Sequence, residues 1–461
     1  MTSNSFNPYG RIARRRFLHQ VGAGFFGTAI GAVLAGDGGK TVPRIIPKAR
    51  SVIFLFMCGG VSHLDTFDPK GNSMAGKLIN AVGFGDNMAE MMRPVIPCHR
   101  TFTPYGQSGI PVSDWFPHVG SVIDEIAVVR SMYCHETNHF SAVAEMATGH
   151  HDRLVDHPTL GSWVSYALGN ENQNLPTFVN LGRPSSAVQL SGGYLGAAVS
   201  ATPLQPGEIP IPNLKSPKGS SAADREEQMQ LLSAMNEEFR RDYAIHSAIA
   251  ARTRSYQLAA RMQTSAPEAV DFSNEPESIR RQYGVGDAET DDFGKRLLLA
   301  RRLVERGVRF IQVCHAGNGG NGAWDAHDDI KSHAPLCRQT DRPIAGLIRD
   351  LKQRGLLDST LIVWTSEFGR TPWSQNTTGR DHNPRGFTSW LAGGGVRGGT
   401  IWGRTDDVGY RAVQDKVYIN DLQATIVQQL GLDPQQMQIE ISGRPVRLVE
   451  DGSEPIRGIL A

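Results

Sequence analysis

The chain predicts an α/β fold built on a doubly wound, mostly parallel sheet with helices on both faces. Three observations carry the prediction. First, continuous apolar runs of strand length recur: "SVIFLFMCGG" (51–60), "AVVRSMYC" (127–134), "VRFIQVCH" (308–315) and "TLIVWTSEFG" (360–369). An unbroken apolar run, rather than alternation with polar residues, is what a strand covered on both faces shows. Second, "ETDDFGKRLLLARRLVERG" (289–307) and "TDRPIAGLIRDLKQRG" (340–355) space their apolar residues at three and four and stop at glycine, as amphipathic helices do. Third, helix precedes strand twice over in this order, which is the alternation that α/β sheets require.

The chain starts with a segment outside that fold. Arg14-Arg15-Arg16-Phe17-Leu18 leads into "VGAGFFGTAIGAVLA" (21–35), too short and too rich in Gly and Ala for a bilayer span, with Val33-x-Ala35 as a small-residue cleavage site. Residues 1–36 therefore read as a twin-arginine signal peptide, which makes the twin-arginine export machinery a partner. It places the mature protein in the periplasm or outside the cell. Such substrates cross the membrane already folded, a route suited to proteins that load a metal or cofactor first.

No later apolar run reaches spanning length, so no membrane span is expected after signal removal. The 461 residues, 40% of them hydrophobic, are enough for a large core. With 47 basic against 46 acidic side chains there is no net charge to attract nucleic acid, which is excluded as a general partner. Five cysteines, widely spaced and without a CxxC pair, form no disulfide framework. Cys58 and Cys314 end apolar runs and read as buried thiols.

One domain is expected over 45–461, interrupted by an insertion at about 183–275. Within it, 183–222 is rich in Gly, Pro and Ser and reads as surface loop, and 222–265 reads as a long polar helical stretch. A helix at "INDLQATIVQQLG" (419–431) and a turn with a final strand in "ISGRPVRLVEDGS" close the chain.

Ligands of open α/β sheets sit beyond the carboxyl ends of the strands. Those positions hold His63, Asp65 and Asp68 after the first run, and His135, Thr137 and His139 after the second. His315, Asp325, His327, Asp328 and Asp329 follow the third, and Glu367, Arg370, Asp381 and His382 the fourth. Imidazoles and carboxylates converging from four segments would make a divalent-metal site. Zinc or manganese is favoured, with calcium and magnesium as alternatives.

The motifs "GGVSHLDTFDPK", "HPTLGSW", "WDAHDD", "RGLLDSTLIVWTSEFGRTP" and "GRDHNP", in this order, resemble a secreted bacterial family known as domain of unknown function 1501. That family is related to the alkaline phosphatase and sulfatase superfamily. The resemblance implies an alkaline phosphatase-like fold and roles residue by residue. Asp65 would be the metal-binding acid after the first strand, with His63 as helper; Asp325 and His327 would bind a second part of the site. Glu367 takes the place of an acid that is followed by histidine in the superfamily, but Phe368 stands where that histidine would be. His382 would be the final histidine, and Asp381 could replace the missing ligand.

Two alternatives stand for the attacking group. Thr137 is a metal-activated nucleophile, or His139 is a ligand and water attacks; Cys134 lacks the Pro and Arg that a sulfatase cysteine needs. Arg370 and Arg380 are candidates for gripping the ester's free oxygens through their donor forks. The implied function is an exported metal-dependent hydrolase of phosphate or sulfate esters on a small molecule or polymer. The alternatives are a catalytically silent metal- or anion-binding protein and a subunit of an envelope complex on the same fold.

Overall fold

The computed structural model describes residues 45–82, 90–151, 155–169, 171–206, 268–316, 322–374, 378–441 and 443–461, with isolated helical positions between 227 and 235. The expected signal peptide and nearly all of the expected helix at 222–265 lie outside the described residues.

A nine-stranded sheet organises the rest. Its strands are β1 (Ser51–Met57), β2 (Ile126–Tyr133), β3 (Phe178–Leu181), β4 (Thr202–Leu204), β5 (Phe310–His315), β6 (Thr360–Thr365), β7 (Phe387–Ala392), β8 (Thr400–Trp402) and β9 (Val417–Tyr418). The order across the sheet is β8-β2-β7-β6-β1-β5-β3-β4, with β9 also pairing β2. The β1–β6, β1–β5, β3–β5, β3–β4, β2–β8 and β2–β9 pairs are parallel. Among the described strands of this sheet, β7 alone runs against the rest, antiparallel to both β6 and β2. The carboxyl ends of β1, β2, β5 and β6 therefore lie on one edge.

β1 shows why the apolar run is unbroken. Ile53, Leu55 and Met57 enter one core, and Val52, Phe54 and Phe56 enter the other. The first core is covered by α3 (Asp291–Glu305) and α4 (His333–Gln353), the second by α1 (His139–Thr148), α2 (Leu160–Leu168) and α5 (Ile419–Gln429). Helices thus lie on both faces, and each large side chain buried there contributes about 1.5–3 kcal/mol of hydrophobic stabilisation.

Three elements differ from the sequence reading. α4 begins at His333, a full turn and more before the expected start, and carries Pro343 in its interior. Within the segment expected to be loop, Thr202–Leu204 forms β4 on the edge of the sheet beside β3. Pro203 hides this strand from composition, because an edge position is where a strand tolerates proline. The last expected strand is part of a hairpin of its own, Gln438–Ile441 with Arg444–Arg447, outside the main sheet. Among the described residues no helix is long and apolar enough to cross a membrane. The five cysteines are free thiols, and all but Cys98 are buried.

Candidate metal centre

Beyond the carboxyl edge, His139, Asp325, His327 and His382 bring one ligand atom each within 4.8 Å of one another. His139 opens α1, whose first turn is fixed by the Asn138 side chain accepting from the Phe140 amide at 3.0 Å. Asp325 and His327 follow β5, and His382 lies on a short strand (His382–Asn383) paired with Gly369–Arg370 just after β6. The sheet gathers residues more than two hundred positions apart in sequence.

Asp325 stands at the middle. Its Oδ2 lies 3.3 Å from His139 Nε2, and its Oδ1 lies 3.1 Å from His327 Nε2 and 3.5 Å from His382 Nε2. The two Nε2 atoms of His327 and His382 are 2.9 Å apart. Donors arranged tetrahedrally around a zinc-sized ion, with bonds of about 2.0–2.1 Å, are separated by about 3.3 Å. The observed spacings bracket that value.

Proton placement points the same way. His139 Nδ1 donates to Glu367 Oε1 at 2.8 Å, and His382 Nδ1 donates to the Thr137 carbonyl at 2.7 Å. In their neutral forms both rings thus turn an unprotonated Nε2 toward the cluster; that of His382 meets His327 Nε2, and that of His139 is buried with no hydrogen-bond partner. A lone pair facing a carboxylate needs a proton or a cation between them. Burial pulls the His139 pKa down, but Asp325 and Glu367 outweigh it and hold it above the usual histidine value. Burial pushes His382 down to about 3, with lesser pushes from Arg370 and His139, against an upward pull from Asp325. Burial would raise the Asp325 pKa, yet His139, His327, His382 and Arg370 together hold it far below the carboxylate range. The residues present fit a divalent cation.

Glu367 stands behind this cluster. Its carboxylate accepts from the Gly59 amide at 2.8 and 3.0 Å and from Ser366 Oγ at 3.2 Å, and it orients His139. A carboxylate holding the far nitrogen of a ligating imidazole fixes its tautomer and raises its basicity. Phe368 is fully buried and packs its ring 5.0 Å from His139 and 4.4 Å from His382, so the residue that replaces the expected histidine is a wall of the cluster.

Several expected site residues stand elsewhere. Asp65 is buried and pairs with Arg380, Nε to Oδ2 at 2.7 Å, with Ser62 Oγ donating to the same oxygen at 2.5 Å. Burial would raise the Asp65 pKa, but Arg380 and Ser62 hold it below the usual value. His63 Nε2 donates to the Gly409 carbonyl at 2.7 Å, and burial depresses its pKa. Neither belongs to the cluster.

The two arginines are not open to an anion. Arg370 is fully buried and gives its donors to the carbonyls of Gly59, Gly60, Trp324 and Arg380 and to Asp325 Oδ1 at 2.8 Å. Arg380 is 1% exposed and is held by Asp65 and by the Thr371 carbonyl. Asp381 reaches only the edge, with Oδ1 3.7 Å from His327 Nδ1. Thr137 contributes its carbonyl to His382.

The sequence reading missed the role of the glycine pair. Gly59, at φ +117, passes so close to the Asp325 loop that a Cβ there would lie 2.5 Å from the Asp325 nitrogen. Gly-Gly directly after a buried strand is the signal that could have announced such an approach.

Fold and site together define an α/β protein with a His3Asp metal centre candidate at the carboxyl edge of a mostly parallel sheet. The chain belongs to the family described as "Protein of unknown function (DUF1501)", which matches residues 49–460. A comparison with curated proteins finds no match. Among solved structures the chain is similar to Ps i-CgsB in complex with k-i-k-neocarrahexaose, at 12% identity and TM-score 0.37, over 86% of this chain and 74% of that one. It is similar to the lipoteichoic acid synthase LtaP from Listeria monocytogenes at 7% identity and TM-score 0.36, over 92% and 80%. It is also similar to alkaline phosphatase from the Antarctic bacterium TAB5 at 11% identity and TM-score 0.36, over 84% and 99%. At these values the likeness says nothing about chemistry.

Proposed function

We propose that the protein is an exported metal-dependent hydrolase of phosphate or sulfate esters, loaded with a zinc- or manganese-type ion. The observation that carries the reading is the cluster of His139, Asp325, His327 and His382, whose spacings and converging ring nitrogens fit one cation. The ester class comes from the sequence motifs, and the export route from Arg14-Arg15 and the apolar run that follows.

A divalent ion bound there would supply Lewis acidity toward an ester oxygen and lower the pKa of water. The chain's own residues have separate tasks. Glu367 holds the His139 tautomer, and the Thr137 carbonyl holds that of His382. His139, His327 and His382, and then Arg370, keep Asp325 ionised, and Arg370 ties it to the Gly59-Gly60 turn. Phe368 closes the inner side against water. With both arginines committed inside the protein, neither guanidinium is available to the free oxygens of an ester.

That commitment also favours a second reading, a metal-binding protein without turnover, since the donors of Arg370 and Arg380 are spent on Asp325, Asp65 and backbone carbonyls rather than on an anion. The deciding experiment uses mature protein purified from metal-replete medium. Elemental analysis should find at least one equivalent of divalent metal, and aryl phosphate or aryl sulfate should be hydrolysed by the wild type but not by Asp325→Ala or His382→Ala. Metal without turnover supports the silent reading; no metal overturns both.

A further inference from the structure

We propose that the cleft lined by Lys70, Arg130 and Arg404 is a binding site for a hydroxyl-bearing organic anion, of the sugar-acid or sugar-phosphate class. The site lies outside the His139 cluster, and its occupation does not rest on the proposed hydrolysis.

The first observation is a guanidinium short of partners. Arg130 stands on β2 with its side chain 13% exposed, and its Nε donates to the Phe67 carbonyl at 2.8 Å. Its Nη2 is buried and has no hydrogen-bond partner. Asp68 Oδ1 lies 3.8 Å from Arg130 Nε and 3.1 Å from Lys70 Nζ, while Asp68 Oδ2 accepts from Thr405 Oγ1. One buried carboxylate thus serves two cations. Burial pulls the Arg130 pKa down, and Asp68 opposes that pull without cancelling it. Arg370 and Arg380, by contrast, have their donors taken up by carboxylates and carbonyls. A buried cation with donors to spare is held at a cost that an arriving anion relieves.

The second observation is the space beside it. Lys70, Arg130 and Arg404 line a cleft of about 610 Å³ together with Asp68 and Asp407. Three cations against two carboxylates leave it one negative charge short. Arg404 is exposed and has no ion pair among the described residues. The volume is too large for an inorganic anion alone and falls within the range of about 300–1,000 Å³ typical of organic-ligand sites. Ser73 and Gln414 add a hydroxyl and an amide to the lining, and Met74 and Ile401 add apolar surface. Polar groups for hydroxyls beside a little apolar surface for C–H faces are what a sugar ring requires.

The third is that the walls are fastened. Gly403, at φ +67, passes β2 so closely that no Cβ would fit against Ser131 Oγ, and Ser131 Oγ donates to the Asp415 carbonyl at 2.6 Å. The short hairpin of Arg404–Thr405 with Ala412–Gln414 is thereby tied to the strand that carries Arg130. Asp68, itself buried, ties Lys70 to the same place through its ion pair. Groups set in position before the ligand arrives lose little freedom on binding it.

The test uses the mature full-length protein, stripped of metal by a chelator so that no anion is captured through an ion at the His139 cluster. D-glucuronate, glucose 6-phosphate, glucose and inorganic phosphate are the probes, titrated by ligand-observed NMR. At least one of the two acids should bind saturably, glucuronate alone marking a carboxylate site and glucose 6-phosphate alone a phosphate site. Glucose, without the charge, should bind about tenfold more weakly or less, and inorganic phosphate more weakly than glucose 6-phosphate. Added sodium chloride should weaken the acids. Arg130→Gln should weaken them about 10- to 100-fold, and Arg404→Gln about two- to fivefold. Arg404→Glu, an exposed substitution that leaves the buried groups intact, turns the excess of one positive charge into one negative and should abolish binding even if Arg130→Gln fails to fold. The proposal is overturned if neither acid binds, if glucose binds as tightly as the acids, if inorganic phosphate matches glucose 6-phosphate, or if Arg404→Glu leaves the affinity within twofold.

Discussion

Glu367→Gln isolates the contribution of charge behind a metal ligand. In the native protein the Glu367 carboxylate accepts at once from His139 Nδ1, the Gly59 amide and Ser366 Oγ, at 2.8–3.2 Å, with the residue fully buried. Glutamine keeps the volume and one acceptor oxygen but loses the negative charge, and its amide group opposes one of those donors. His139 becomes a weaker base with a less firmly held ring. Removing such a supporting partner costs 10–100-fold in metal affinity, or about 1.4–2.7 kcal/mol. The assay is zinc affinity by competition with a chromophoric chelator. The dissociation constant should rise 10- to 100-fold with the stoichiometry unchanged, because the four direct donors remain. A constant within threefold of the parent would refute the view that Glu367 acts through His139.

Three further outcomes are expected. Asp65→Ala should lower stability by about 3–5 kcal/mol in urea unfolding, because it strands the buried Arg380, while zinc stoichiometry stays intact; Asp325→Ala, by contrast, should lose the metal. Gly59→Ala should lose both stability and metal, since the added carbon would press on the Asp325 nitrogen at 2.5 Å from a backbone at φ +117; a thermal midpoint equal to the wild type's would contradict this. The third concerns pH. His333 is fully buried, accepts the Ser62 amide at Nε2, and is pushed down to about 3, first by burial and then by Arg370. Its contribution is therefore complete above about pH 6.5, where the unfolded histidine is also neutral, and is lost as the pH falls toward 3. At pH 5 the metal-free protein should have lost about 2 kcal/mol relative to pH 7.5 through this residue. His333→Gln should show a shallower decline in unfolding free energy, and parallel curves for the two proteins would exclude it.

The sheet was legible because its central strands are apolar on both faces, which no other element of that length is. β7 and β4 were not, since Thr388 and Ser389 interrupt one run and Pro203 the other. The rule that functional groups follow the strands brought forward His139, Asp325, His327 and His382, which the structure gathers. It brought forward Asp65 and His63 with equal force. A strand-end position fixes where a residue stands along the chain, but not whether its side chain turns toward the crevice or back under the loop. Asp65 turns back because Ser62 and Arg380 meet it there. Arg370 and Arg380 followed the same logic: a guanidinium near a site reads as a ligand grip until the carbonyls of Gly59, Gly60 and Thr371 are seen to consume it. Glu367 is a subtler case, for its chemistry is that of a ligand and its place one layer behind is set by the Gly59 turn.

The four donors of the centre come from segments placed by β2, β5 and β6, with Arg370 pinned between two of them. The donors meet only where these strands are assembled side by side, so occupancy by an ion would act as a proofreading signal for the completed chain. Substitutions deep in either hydrophobic layer, far from any donor, should lower apparent metal affinity in step with the fraction of molecules that are fully assembled. Metal content per molecule would then grade the quality of a preparation, even for variants in which every residue of the centre is intact.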